Sequence, residues 1–367
     1  MGLYYVCIVG EKSTGAHVSE KYIIRKATFE DEPALRRFID EHWRKDHVFV
    51  QSKTLLDWQH RDEATQSYSF ILGIEKETGD IHGVLGFITL AQFDPQIDPK
   101  RIIWMAIWKV RDAARGHRLG RNIQTFLVES EKPDIISTVA ASAMTLSMYK
   151  ALGYQVDKLK QYFILNETKR EFNLAHLPSN FSAEATEGNG DTSLEPISRD
   201  DVLSISQHCF DAQGTVPLKT PEYIIGRYID HPIYKYNCYK IMQKNIILGL
   251  IVTRDCHHGD YAAIRVVDFV GEENALDGLG QSWQKLMQKN GAEYTDFYNA
   301  GISDGALKRS GFLNADDYEG LIIPNYFEPF LQKKVSIDFM ISSPKGTPYR
   351  IVKGDSDQDR PNSLPTT

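Results

Sequence analysis

The chain has 367 residues, of which 42% are hydrophobic and 25% charged, and its net charge at pH 7 is −7. This length predicts two domains, and the composition is that of a globular protein. The acidic balance argues against a nucleic-acid partner, and the longest apolar runs are too short to span a bilayer. Four scattered cysteines without a CxxC pair indicate a reducing compartment. We therefore expect a cytoplasmic protein that has neither nucleic acid nor membrane as a partner.

Regular elements are predicted from Tyr22 onward, after a flexible leader at residues 1–20. Residues 22–26 have the pattern of a strand, and a helix is expected after Thr28, where Pro33 suits the first turn. Residues 69–74 and 84–90 are typical of two strands joined by a turn. This part of the chain therefore predicts a β-hairpin.

The most informative stretch is a strand, a tight turn and a helix. Residues 102–110 form an apolar, aromatic run, and the spacing of Leu119, Ile123 and Leu127 predicts an amphipathic helix. The turn between them reads Arg115-Gly116-His117-Arg118-Leu119-Gly120. The start of a helix presents unpaired backbone N–H groups and a partial positive charge. The turn is therefore a candidate phosphate-binding site.

The order of elements repeats in the second half of the chain. Residues 135–140 predict a strand, 144–152 a helix that ends at Gly153, and 162–165 another strand. In the second half, residues 263–270 match the strand at 102–110, and residues 307–312 match residues 149–154. We infer two copies of one α/β domain. The predicted organisation is a leader (1–20), a first domain (21–166), a linker (167–192), a second domain (193–341) and a polar, irregular tail (342–367).

Residues 21–166 resemble the GNAT acyltransferase superfamily. The family's pyrophosphate-binding pattern, R/Q-x-x-G-x-G/A between a central strand and a helix, matches residues 115–120, except that Arg118 stands where the family has its first glycine. Tyr149-Lys150-Ala151-Leu152-Gly153-Tyr154 resembles the family's LGF or LGY helix end. The resemblance implies an α/β fold of two GNAT-like domains, each a mixed, mostly antiparallel sheet flanked by helices. It also implies an acyl-CoA co-substrate, with an acetyl or short hydroxyacyl group.

The resemblance assigns roles to residues around the turn. Backbone groups of Trp108 and Val110 would hold the pantetheine arm and polarise the thioester carbonyl. Tyr149 matches the family tyrosine that protonates the leaving thiolate, with a packed helix tyrosine as the alternative. The expected cofactor-binding residues are Trp108, Val110, Arg115, Gly116, His117, Arg118, Leu119, Gly120 and Arg121.

A general base is less clearly indicated. Many family members carry a glutamate on the central strand, and residues 102–110 contain none. Asp94 and His47 are the candidates, although Asp94 precedes a proline as turn-forming residues do, and His47 also suits a hydrogen-bonded loop position. A third alternative is that no strong base is needed, because nearby oxygens make a sugar amine less basic.

Candidate acceptor-binding residues occur in both halves. Trp43, Trp58 and Gln59 suit stacking on a base or sugar and pairing with a nucleobase edge, with a core role as the alternative for the tryptophans. By analogy, Asp268, Tyr298 and Asn299 are expected at the cleft-facing ends of second-copy strands. The equivalent turn of the second copy, residues 271–275, is acidic and would repel coenzyme A. We therefore expect one cofactor site per chain and no metal.

Tandem GNAT-like domains resemble sugar-nucleotide N-acyltransferases of surface-polysaccharide biosynthesis, including lipopolysaccharide and anthrose-type enzymes. The resemblance rests on residues 43–59 and on the tail Gly354-Asp355-Ser356-Asp357-Gln358-Asp359-Arg360-Pro361. It implies acyl transfer from acyl-CoA to a dTDP- or UDP-linked amino sugar in a cleft between the domains. Two alternatives stay open: an aminoacyl- or peptide-directed transferase, and a binding module without catalysis. The sequence does not indicate the oligomeric state.

Overall fold

The computed structural model describes residues 16–115, 117–182, 190–210, 215–344 and 346–364. Most of the predicted leader and Gly116 of the turn therefore lie outside the described residues. The described strands are β1 (Ala16–Val18), β2 (Tyr22–Thr28), β3 (Arg61–Asp62), β4 (Ser67–Glu75), β5 (Ile81–Thr89), β6 (Ile103–Val110), β7 (Ile136–Val139), β8 (Gln155–Leu165), β9 (Thr192–Pro196), β10 (Asn237–Gln243), β11 (Ile246–His258), β12 (Tyr261–Gly271), β13 (Ala292–Ala300), β14 (Leu313–Asn314), β15 (Tyr326–Phe327), β16 (Phe330–Leu331), β17 (Ile337–Ile341) and β18 (Ile351–Val352).

The described α-helices are α1 (Glu32–Phe38), α2 (Val48–Gln51), α3 (Lys53–His60), α4 (Leu119–Glu131), α5 (Ala143–Ala151), α6 (Arg199–Leu203), α7 (Pro221–Ile224), α8 (Gly280–Asn290) and α9 (Asp304–Arg309). Two single π-helical turns follow α1 and α7, at Ile39–Trp43 and Ile225–Ile229. In the described part of the chain, no helix is both long and apolar enough to cross a bilayer.

The chain divides into two compact units. The first contains the described residues of Met1–Lys45, Arg61–Gly86 and Ile107–Lys132, and the second contains the rest. The division falls within β5 and β6, so it differs from the predicted domain boundaries, which remain a prediction.

The first unit is built on antiparallel strands in the order β1, β2, β4 and β5. The predicted hairpin is confirmed, with Ile71 opposite Leu85 and Gly73 opposite Gly83. These two glycines face α4: a Cβ atom on Gly73 would lie 2.7 Å from the Leu119 side chain, and one on Gly83 would lie 2.9 Å from Ile123. Because the sheet carries no side chains at these positions, α4 packs closely against it.

The second unit contains a longer sheet with the order β6, β7, β17, β8, β13, β12, β11, β10 and β9. Its parallel pairs are β6 with β7 and β12 with β13, and its other neighbouring pairs are antiparallel. The last strand of each half of the chain is exchanged: β8 pairs with β13, and β17 lies between β7 and β8. The sheet has one large buried cluster around Trp104, Tyr228 and Phe339 and another around Trp283 and Phe297.

Two segments that the sequence predicts to be a linker and an irregular tail contain packed residues. The predicted linker contains Leu174 and Ala175, which are fully buried in a small core with Phe163, so its first part is packed structure. The tail was expected to be irregular, yet Ile351 and Val352 form β18, which pairs with the end of β13. Apolar burial explains both cases, because short apolar groups inside a polar stretch gain enough from packing to become ordered.

The tail enters the gap that opens between β12 and β13. The parallel pairing of these strands ends at Val266 and Phe297, although β12 continues to Gly271 and β13 to Ala300. Beyond that point, Lys353 N–H donates to Tyr298 O at 3.3 Å on one side, and Gly354 N–H donates to Val267 O at 2.8 Å on the other. The tail therefore supplies backbone partners to two strands that no longer reach each other.

Candidate active site

The predicted phosphate-binding turn lies in the first unit. A 3-10 turn at Asp112–Ala114 follows β6, and α4 begins at Leu119 with Arg118 as its N-cap. Arg118 has φ 55° and ψ 11°, in the left-handed region that costs other residues about 1–3 kcal/mol more than glycine. The backbone at this position therefore suits the glycine that the family pattern places there. Arg118 keeps the glycine-like backbone and adds an exposed guanidinium.

The surroundings of this turn are basic. Arg115 pairs with Asp112 at 2.9 Å, and Lys109 lies 3.4 Å from the same carboxylate. His117, Arg118 and Arg121 are exposed. One carboxylate thus faces several cations at the N-terminus of a 13-residue helix, which favours a bound phosphate.

Trp108 and Val110 lie directly under the first turn of α4. A Cβ atom on Gly120 would be 3.4 Å from Val110 Cγ2 and 3.6 Å from Trp108 Nε1. Both side chains are partly buried. The last part of β6 and the first turn of α4 are therefore close together, and the described residues predicted to bind the cofactor all belong to the first unit.

Tyr149 lies in the second unit, on α5, where it is 1% exposed. Its hydroxyl is 3.9 Å from the Met105 sulfur. The pairing of β6 with β7 ends at Trp104, and Met105 is the next residue. Burial, and secondarily Tyr154, raise the pKa of Tyr149 well above its usual value. The phenol is therefore protonated at neutral pH, as a hydrogen-bond donor to a thiolate must be.

The two candidate bases are both buried and hydrogen-bonded. Asp94 Oδ1 accepts from Gln96 N–H at 2.9 Å, and its Oδ2 accepts from the Thr220 hydroxyl at 2.6 Å. His47 is the N-cap of α2, and its Nδ1 accepts from Phe49 N–H at 3.2 Å. This bond fixes the neutral tautomer with the proton on Nε2. These contacts agree with the alternatives given above, a turn-forming role for Asp94 and a hydrogen-bonded loop position for His47. A catalytic role for either residue remains a prediction.

The predicted acceptor-binding residues belong to both units. Trp43 is 44% exposed and belongs to the first unit, whereas Trp58 and Gln59 lie on α3 in the second. Trp58 donates its indole N–H to Gly226 O at 3.1 Å, and its ring packs 4.3 Å from that of His231. Gln59 is buried and has its amide nitrogen 3.0 Å from His60 Nε2.

Asp268, Tyr298 and Asn299 are 0–2% exposed. Asp268 accepts from Lys219 at 2.7 and 2.8 Å and from the Tyr228 hydroxyl at 2.6 Å, so its carboxylate belongs to an internal ion cluster. The hydroxyl of Tyr298 and both amide atoms of Asn299 are buried and have no hydrogen-bond partner in the described part of the chain.

The structure adds residues that the sequence reasoning missed. Nδ1 of His231 accepts from Ile233 and Tyr234 N–H, and burial, followed by Arg227, lowers its pKa to about 3. Lys219 lies 3.0 Å from Asp355 as well as beside Asp268. Burial disfavours the Lys219 ammonium, but these two carboxylates outweigh it and raise its pKa.

The tail residues 351–361, called here the C-terminal segment, connect this cluster with others. Asp359 pairs with Arg254 through two bonds of 2.9 Å, and Gln358 donates to Val139 O on β7 at 3.3 Å. Arg227 donates to Gly354 O at 3.0 Å. The apolar pair Ile351 and Val352 was the available sequence signal that part of this segment is buried.

Comparison with known proteins shows likeness of structure alone. No family model matches the chain. No curated protein matches it in sequence. A GCN5-related N-acetyltransferase from Anabaena variabilis superposes with a TM-score of 0.53 at 14% identity, over 87% of this chain and 72% of the other. One from Kribbella flavida gives a TM-score of 0.52 at 11% identity, over 87% and 70%.

A third solved structure, Saccharomyces cerevisiae N-myristoyltransferase with bound myristoyl-CoA and inhibitors, has a TM-score of 0.51 at 10% identity, over 92% of this chain and 83% of the other. The predicted fold class is therefore confirmed: the chain has a mixed, mostly antiparallel sheet flanked by helices, with the fold of these acyltransferases. At identities this low, the likeness concerns the fold, and function rests on the site.

Proposed function

We propose that this protein is an acyl-CoA-dependent N-acyltransferase whose acceptor is the amine of a nucleotide-linked amino sugar, dTDP- or UDP-linked. The main support is the position of the Tyr149 hydroxyl. It lies beside Met105 on β6, one residue after the pairing of β6 with β7 ends. Support also comes from the basic turn at residues 115–121 and from a fold like that of N-acetyltransferases.

The turn in the first unit would hold the coenzyme A pyrophosphate. The backbone N–H groups at the start of α4 point toward any anion placed there, and Arg118 and Arg121 supply exposed positive charge. The pantetheine arm would run along Trp108 and Val110. Affinity for coenzyme A from this turn is expected to fall with salt, because the side chains concerned are exposed.

The reaction would proceed by direct attack. The amine nitrogen forms a bond to the thioester carbon and the C–S bond breaks. The proton that the nitrogen loses passes to solvent, and the leaving thiolate takes up one proton from solvent and is released as the free thiol. Tyr149 would donate a hydrogen bond to the developing thiolate. Because its pKa is raised, complete transfer of its proton to a less basic thiolate is unfavourable, so its main contribution would be to stabilise the charge.

Turnover provides the test. Release of free thiol from acetyl-CoA should depend on a dTDP- or UDP-linked amino sugar, and Tyr149→Phe should lower kcat at least about tenfold. Tyr154→Phe is the matched control, because its ring lies 5.9 Å from that of Tyr149. If no amino-sugar nucleotide supports thiol release with any acyl-CoA, the proposed acceptor class is wrong. An unchanged kcat in Tyr149→Phe would remove the role of the phenol.

In the alternative function, an aminoacyl- or peptide-directed transferase, the same acyl transfer takes place but the acceptor amine belongs to an amino acid or a peptide. The likeness to an N-myristoyltransferase with bound myristoyl-CoA extends the acyl groups to be tested to long chains. Assaying acetyl-, hydroxybutyryl- and myristoyl-CoA against amino-sugar nucleotides and short peptides separates the two acceptor classes. A binding module would bind coenzyme A or an acceptor and release no thiol with either.

A further inference from the structure

A small pocket in the second unit is lined by basic side chains from three parts of the chain. Arg254 comes from β11, Arg265 from β12, and Lys353 and Arg360 from the C-terminal segment. Asn325 also lines this pocket. Two carboxylates, Asp359 and Glu328, are the acidic members of the lining.

The carboxylates of this pocket are already satisfied by the protein. Asp359 accepts two bonds from Arg254 and one from the Tyr236 hydroxyl at 2.8 Å. Glu328 accepts from the Tyr234 hydroxyl at 2.8 Å and from Asn362 N–H at 3.0 Å. Both carboxylates therefore already accept hydrogen bonds within the protein, and neither accepts one from Lys353.

Donors, in contrast, are left over. Lys353 is 4% exposed, and its ammonium donates to Asn325 Oδ1 at 2.6 Å; no carboxylate of the described residues lies within ion-pair distance. Nδ2 of Asn325 is buried and has no hydrogen-bond partner in the described part of the chain. A lysine nitrogen carries two hydrogens when neutral and three when protonated, and an amide nitrogen carries two, so several N–H groups have no acceptor among the described residues.

Surplus donors in a buried setting are costly unless a ligand accepts from them. Arg265 already donates to Asp296 and to the carbonyls of Pro324 and Asn325. Arg360 donates from Nε to Asp357 at 3.2 Å and from Nη1 to Pro361 O at 3.4 Å, which leaves its Nη2 without an acceptor among the described residues. The group that would complete the pocket has several acceptor oxygens and a negative charge. A phosphate or a carboxylate has this chemistry.

We propose that Lys353, Asn325 and Arg360 form a binding site for an anionic oxygen group of the acceptor substrate. Assigning the anion to the acceptor rests on the proposed function, whereas the presence of an anion site does not. A nucleotide-linked sugar offers phosphate oxygens, and an acidic sugar or a peptide end offers a carboxylate. The site would position the acceptor by charge and would leave the chemical step to other residues.

Calorimetric titration with sodium phosphate, sodium pyrophosphate and sodium acetate, at constant ionic strength and without acyl-CoA, tests the site. Lys353→Met should weaken binding of the preferred anion at least about tenfold, since one charge-assisted bond is lost. Arg360→Gln, on the more accessible side of the pocket, is a second variant. Lys285→Met is the matched control, because it removes the same charge from an exposed position on α8.

The outcomes separate the ligand classes and the two proposals. Only the binding that Lys353→Met weakens is assigned to this site, because the turn at residues 115–121 is also proposed to bind pyrophosphate. If that binding is tighter for pyrophosphate or phosphate than for acetate, the site takes a phosphorylated acceptor, and the reverse order assigns it to a carboxylate. No binding of any of the three anions, or equal affinities in Lys353→Met and Lys285→Met, overturns the proposal. Acyl transfer is measured separately, so its absence alone would not remove the anion site.

Discussion

Gly354 N–H donates to Val267 O at 2.8 Å, which joins the C-terminal segment to β12 at the point where β12 has parted from β13. In the first half of the chain, the parallel pairing of β6 with β7 likewise ends at Trp104 and Ser137. The gap between β12 and β13 is occupied by Lys353 and Gly354 of the C-terminal segment. This explains, independently of the acidic turn at residues 271–275, why the second half is expected to bind no cofactor.

Replacing Gly354 tests how closely the segment is packed. A Cβ atom at this position would lie 2.2 Å from the Tyr228 hydroxyl and 2.6 Å from Val267 O. Gly354→Ala should therefore destabilise the protein by about 1–3 kcal/mol, as overpacked sites do. Urea denaturation measures the difference. Gly305→Ala, on α9 with only the Arg309 side chain nearby, is the control and should be neutral or slightly stabilising.

The ion cluster of Lys219 should be sensitive to removal of its cation. Lys219→Met leaves Asp268 and Asp355 buried without their ammonium partner, at original distances of 2.7 and 3.0 Å. We expect a loss of about 3–5 kcal/mol in unfolding free energy. The exposed pair of Lys240 and Glu195 offers a comparison, and Lys240→Met should cost less than about 1 kcal/mol. Equal effects of the two variants in urea denaturation would contradict the cluster's importance.

Lys353 should make stability depend on pH above neutrality. Burial, and then Arg265, lower its pKa to about 7, whereas an unfolded lysine titrates near about 10.4. Between these values the unfolded chain binds the extra proton, so stability rises with pH across this window and the contribution is constant outside it. The free energy of unfolding of the native protein, minus that of Lys353→Met, should rise by up to about 1.4 kcal/mol per pH unit from pH 7 to 10. A parallel pH dependence in both proteins would show that Lys353 titrates normally.

Much of the architecture followed from the sequence because hydrophobic periodicity is local information. The hairpin, the strand ending at Val110, α4 and α5 are confirmed close to their predicted bounds. The turn was located from its motif, while the left-handed backbone of Arg118 required coordinates. Arg118 therefore differs from the family's glycine in its side chain, whereas its backbone keeps the conformation that glycine favours.

What the sequence did not reveal depends on contacts between distant residues. The exchange of β8 and β17 and the burial of Asp359 beside Arg254 have no local signature. His231 was missed because its neutral form is fixed by backbone N–H groups and by burial next to Trp58. Asp94 and Asp268 were singled out as polar residues near strand ends, and only the structure places them against Thr220 and Lys219.

Arg118 has a left-handed backbone that lowers stability and a side chain that is proposed to bind coenzyme A. Stability and coenzyme A affinity can be measured separately in one variant. Arg118→Gly should stabilise the protein by about 1 kcal/mol by relieving the left-handed conformation. The same change should weaken coenzyme A binding and reduce its dependence on salt, because a phosphate contact is lost. Arg101→Gly, exposed before β6, serves as the charge control. Unchanged coenzyme A affinity in Arg118→Gly would mean that Arg118 does not contact the cofactor.

The stoichiometry of coenzyme A binding tests the central claim most directly. Isothermal titration calorimetry of the full chain with coenzyme A should give one site per chain, because the turn at residues 115–121 is basic and the gap between β12 and β13 is filled by Lys353 and Gly354. The same titration on Arg118→Gly should give the same single site at lower affinity. Two sites per chain, or no binding at all, would contradict the account.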